Sequence, residues 1–78
     1  MKVKVYKTNG CPWCEKAIKY LKNNEVEIEI LNCSENEEYK KELIAKTHQN
    51  SVPVIEINNE IIIGFDKKKI DELINIEG

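Results

Sequence analysis

Long apolar runs are missing from this chain: the longest span three residues, as in Ile61-Ile62-Ile63, whereas a membrane-spanning helix needs about 20. No membrane association is therefore expected. The start, Met1-Lys2-Val3-Lys4-Val5-Tyr6, also lacks the apolar stretch of a signal peptide, which argues for a cytoplasmic protein. Basic blocks that track a phosphate backbone are lacking too: 12 basic residues are spread among 14 acidic ones, for a formal charge of -2, so nucleic acid is not an expected partner. There is no linker, repeat or low-complexity segment. The three cysteines are too few and odd in number for the disulfide framework of a secreted miniprotein, and fit a cytosolic chain with a working thiol pair.

What is present suits one small soluble domain spanning residues 1–78 and expected to act as a monomer. Hydrophobic residues make up 41% and charged residues 33%, enough apolar surface for a single core. Val3 and Val5 alternate with lysines as in a strand, which Asn9-Gly10 ends. From Pro12 the apolar positions Cys14, Ala17, Ile18 and Leu21 recur at helical spacing, toward Asn23-Asn24. Val26, Ile28 and Ile30 alternate with glutamates, predicting a second strand with one buried face. Ser34 and Glu37 have capping-box spacing for a second helix, whose stripe is Tyr39, Leu43 and Ile44. Val52 to Ile57 and Glu60 to Ile63 read as a hairpin across Asn58-Asn59. Asp66 is placed to cap a last helix that buries Ile70, Leu73 and Ile74 and exposes Lys67, Lys68 and Lys69. The order is strand, helix, strand, helix, strand, strand, helix, an α/β arrangement with a mixed four-stranded sheet covered by helices.

The chemistry sits in Cys11-Pro12-Trp13-Cys14, where the first strand hands over to the first helix. Unpaired amides and the positive end of the helix dipole stabilise a thiolate there, and can bring a cysteine pKa from about 8.5 to roughly 3.5–7.5. Cys11 is thus the expected nucleophile. Cys14, one turn into the helix on its apolar stripe, is the expected buried resolving thiol. Pro12 restrains the backbone between them, and Trp13 is expected to lie exposed, able to pack against a peptide or glutathione.

The competing reading of this pair is half of a zinc site, but a second CxxC is missing, and Cys33 and His48 are lone residues on separate elements. Cys33 fits a small, half-buried residue closing the second strand, and His48 a surface position in a polar loop. A metal or iron-sulfur carrier built on Cys11 stands as the alternative to redox chemistry.

Taken together, the residues resemble the glutaredoxins, of thioredoxin-like three-layer fold, over essentially the whole chain. Three features carry the likeness: Cys11-Pro12-Trp13-Cys14, Ser51-Val52-Pro53-Val54, and Gly64-Phe65-Asp66. The short bacterial glutaredoxin-like proteins, themselves similar to the small hydrogen donors of ribonucleotide reductase, are the most alike. The resemblance implies a glutaredoxin-type thiol-disulfide oxidoreductase, working in electron transport and cell redox homeostasis. It implies a cis bond between Val52 and Pro53, with the Val52 backbone offered to substrate, and a glutathione-holding region at Gly64, Phe65 and Asp66. Its substrates would be protein disulfides or glutathione mixed disulfides, and its reductant glutathione, as co-substrate, or a thioredoxin-reductase-like flavoenzyme, with no bound cofactor. Thr8 stands where the family often carries lysine or arginine, with Lys7 one step away. Ile63-Gly64 replaces a glycine pair, and Lys67 stands where an acid is common.

Overall fold

The structure, a computed structural model, describes the backbone of residues 2–77 and the side chains of residues 2–74. Seven elements follow in the expected order: β1 (Lys2–Lys7), α1 (Pro12–Asn23), β2 (Glu27–Asn32), α2 (Glu37–Thr47), β3 (Val54–Ile57), β4 (Glu60–Ile63) and α3 (Lys67–Glu77). The sheet order is β2-β1-β3-β4, with β1 parallel to β2 and antiparallel to β3, and β3 antiparallel to β4. Asn58 and Asn59 both take positive φ, at 50° and 70°, which sets the two-residue turn between β3 and β4.

Strand alternation splits the core into two layers. Val3, Val5, Ile55, Ile57 and Ile62 point to one face, where Ala17, Ile18 and Leu21 of α1 and Ile70 of α3 cover them. Tyr6, Leu31 and Val54 point to the other, where Leu43 of α2 packs with Cys33. With α1 and α3 below the sheet and α2 above it, the chain is a three-layer α/β sandwich of the thioredoxin-like kind.

Three local expectations need correction. β2 does not bury one clean face: it is an edge strand, so Ile30 is 43% exposed, while Leu31, of opposite parity, is the buried residue. Ser34 does not cap α2; Asn36 does, its side-chain oxygen accepting from the Glu38 amide at 2.9 Å. Ile44 lies off the packed stripe and is 40% exposed, leaving Leu43 as the buried anchor of that helix.

Polar groups make up for the thin apolar face of α2. The Tyr6 hydroxyl, rising from β1, donates to Glu42 and accepts from Lys46 Nζ at 3.0 Å, and Lys46 also donates to Glu56 of β3 at 2.6 Å. Burial first, and then the bond to Glu42, push the Tyr6 phenol up to about 12, while the bond to Glu56 foremost holds the Lys46 ammonium above its ordinary range. Because the Tyr6 pKa is higher folded than unfolded, its contribution is complete below about 10 and is lost as pH rises through about 12. An ultraviolet difference titration is expected to show a tyrosine component near 12 that Tyr6→Phe removes. A Tyr6→Phe protein with an unaltered titration would overturn the assignment.

Candidate active site at the start of the first helix

β1 delivers the chain to the site through a left-handed turn. Gly10 adopts φ 69°, a value that strains any residue with a Cβ although nothing lies within 4 Å of where that atom would be. The loop is braced from the β2–α2 connection: the Asn9 amide donates to Ser34 Oγ at 3.0 Å, and Asn32 Nδ2 donates to Asn9 Oδ1 at 2.9 Å. Ser34, read from sequence as a helix cap, is thus a strut for the active-site loop. Nothing in the local pattern signals this, because the partners are 25 residues apart.

Cys11 is the N-cap of α1, with extended φ/ψ of -108° and 100°, and Pro12 opens the helix without needing the amide hydrogen it lacks. Cys11 Sγ accepts from the Cys14 amide at 3.2 Å, taking the role that a serine or aspartate oxygen plays at other caps. The sulfur therefore sits against the free amides and positive pole of the first turn. Cys14 lies one turn on and is fully buried, on the same stripe as Ala17, Ile18 and Leu21. The two sulfurs are joined in a disulfide, with Cα atoms 5.3 Å apart. The pair is therefore asymmetric: Cys11 is partly exposed at the helix mouth and Cys14 is shielded behind it.

Several of the other residues singled out from sequence are linked to one another. Trp13 is 58% exposed and its ring lies 6.4 Å from that of Phe65, which joins the disulfide helix to the segment before α3. The Val52-Pro53 bond is cis, Val52 is half-buried and Pro53 buried. The Gly64 amide donates to the Pro53 carbonyl at 2.8 Å, tying that loop to the turn where Gly64 takes φ 86°. Asp66 caps α3 as expected, accepting from the Lys69 amide at 3.2 Å. Lys7 is committed elsewhere, donating to Glu15 of α1 at 2.6 Å.

Cys33 follows β2, is 7% exposed, and burial pushes its thiol up, so it is the opposite of an activated sulfur. It lines a cleft of about 640 Å3 with Thr8, Ser34, Lys40 and Leu43, on the α2 side of the loop. His48 is exposed and forms the left-handed C-cap of α2, at φ 59°. Among the described residues, no three His, Cys, Asp or Glu side chains are grouped to hold a metal, and no helix is long and apolar enough to cross a membrane.

Comparison with known proteins agrees with this geometry. The family model for glutaredoxin matches residues 3–62. An uncharacterised glutaredoxin-like 8.6 kDa protein of the rubredoxin operon of Clostridium pasteurianum is 39% identical over 72 residues, covering 92% of this chain and 96% of that one. The crystal structure of a glutaredoxin from Archaeoglobus fulgidus is 28% identical and superposes with a TM-score of 0.81, over 92% of this chain and 84% of that one. The glutaredoxin-like NrdH-redoxin of Escherichia coli shares the fold at a TM-score of 0.83, with 23% identity over 94% and 95% of the two chains. The match extends from the first strand to the last, and with a paired Cys11 and Cys14 at the head of α1, this chain belongs to the glutaredoxin family as a short thiol-disulfide oxidoreductase.

Proposed function

We propose that this protein reduces protein disulfides or glutathione mixed disulfides in the cytoplasm, as a monomer, through Cys11 and Cys14 alone. The observation that carries the reading is the asymmetry of the pair: Cys11 Sγ accepts an amide hydrogen bond at the helix mouth while Cys14 is wholly buried. In the reduced protein the Cys11 thiolate attacks a substrate disulfide, forming a mixed disulfide and releasing one substrate thiolate. Cys14 then gives up its proton and attacks Cys11 Sγ, releasing the second substrate thiolate and closing the Cys11–Cys14 bond. Two electrons pass from the pair to the substrate, and no bound cofactor is required. Substrate would lie across Pro12, Trp13, the Val52 backbone, Pro53, Gly64, Phe65 and Asp66.

The reductant that restores the dithiol is glutathione or a thioredoxin-reductase-like flavoenzyme. Thr8 supplies no charge, and the neighbouring Lys7 is paired with Glu15, which weakens the site for the carboxylates of glutathione. Incubating oxidised protein with glutathione, and separately with thioredoxin reductase and NADPH, and following thiol release distinguishes the two. Turnover with neither donor would overturn the reading. Cys14→Ser is expected to retain exchange with glutathione adducts and to lose reduction of intramolecular protein disulfides. Equal loss in both assays would contradict the assigned roles.

A further inference from the structure

A groove of about 290 Å3 runs along α1, lined by Lys16, Lys19, Tyr20 and Asn23 from α1, by Phe65 just before α3 and by Lys67 at its start. Its floor is aromatic and continuous with the site: the Trp13 ring is 6.4 Å from Phe65, and Phe65 is 5.7 Å from Tyr20. Its rim is cationic. Lys16 Nζ lies 4.5 Å from the Trp13 centroid and Lys67 Nζ 5.2 Å from that of Tyr20, and among the described residues neither these lysines nor Lys19 join a salt bridge. The Asp71 carboxylate accepts from the Tyr20 hydroxyl and that of Asp66 from the amide of Lys69, so neither is paired with a groove lysine. In a chain of formal charge -2, three lysines without an acidic partner thus gather around exposed Trp13 and the half-buried rings of Phe65 and Tyr20.

From this charge complementarity we infer that the groove docks an acidic segment of the protein whose disulfide is being reduced, with its carboxylates set against Lys16, Lys19 and Lys67 and an apolar side chain on Trp13, Phe65 and Tyr20. Trp13 to Asn23 spans about 15 Å at the helical rise, which an extended chain of about four or five residues covers. The favoured substrate therefore carries its acidic residues within about five positions of the attacked cysteine. The inference rests on the dithiol reading above and adds to it the class of partner. Charges of this kind act mainly by steering encounter, and so fade with salt.

Two disulfide peptides that differ only in three glutamates or three glutamines next to one cysteine provide the test. The protein is expected to reduce the glutamate peptide at least about tenfold faster in kcat/KM at low ionic strength, with the ratio approaching one in high salt. In Lys16→Gln/Lys19→Gln/Lys67→Gln the ratio is expected to be near one without added salt. A ratio near one in the unaltered protein, or a preference that survives in the triple variant, would overturn the inference and leave the dithiol reading intact. Reduction of neither peptide would remove the dithiol reading itself. The salt series needs no variant, so the inference stays open to refutation even if the triple variant folds poorly.

Discussion

Cys11→Ser is expected to abolish disulfide reduction, by at least about a thousandfold, the scale on which loss of an enzyme's nucleophile acts. A hydroxyl at the same cap would still accept the Cys14 amide, so the helix start is preserved and the loss is chemical. Serine offers no anion near neutrality, whereas a cysteine sulfur at a helix N-terminus is ionised with a pKa of roughly 3.5–7.5. The companion measurement is the pH dependence of alkylation of the reduced protein, followed site by site. Cys11 is expected to react first, with a midpoint below the free value of about 8.5. Cys33 cannot supply that signal, since burial pushes its thiol up and leaves it 7% exposed. First reaction at Cys14, or a Cys11 midpoint at the free value, would contradict the assignment.

The parts of the fold that could be read from sequence are those set by short-range chemistry. Alternating Val3 and Val5, the Asn58-Asn59 turn, the Asp66 cap and the stripe Cys14, Ala17, Ile18, Leu21 each depend on neighbours within a few residues, and each is where it was expected. The pair Cys11 and Cys14 was legible for the same reason, because three positions on a helix start fix both sulfurs. Ile30 departs from the pattern because period-two alternation reports which side a residue points to, and says nothing of whether a strand ends up at the sheet edge. Ser34 departs from the pattern because its hydroxyl accepts from the Asn9 amide, and Asn36 is the residue adjoining the first turn of α2.

The rest of the site was hidden by sequence distance. Trp13 meets Phe65, and Asn9 meets Ser34, only after the strands have paired. The basic groove is a sharper case: Lys67 read by itself is one lysine in a solvated run, and gains meaning only when α3 lies beside Lys16, Lys19 and Tyr20. The Tyr6, Glu42, Lys46 and Glu56 network likewise joins three elements whose residues share no local motif.

Leu21→Ala is expected to cost about 2–5 kcal/mol of stability, by the usual loss of buried methyl groups and the cavity they leave. For a chain of 78 residues the whole stability is of order 4–12 kcal/mol, so this one change removes a large share and should be plain in urea unfolding. Leu21 is fully buried against Val3, Val5, Ile55 and Ile57, and shares with Cys14 the stripe that clamps α1 to the sheet. Leu43→Ala, on the opposite face, removes an equally buried leucine and should cost a similar amount. The two differ in what they loosen: α1 holds both sulfurs, while α2 holds neither. Compared at equal folded fraction, Leu21→Ala should slow disulfide reduction and Leu43→Ala should leave it close to that of the unaltered protein. A Leu21→Ala cost under about 1 kcal/mol would show that α1 is not held to the sheet as described. Equal activity losses in the two variants would detach the sulfur geometry from the packing beneath it.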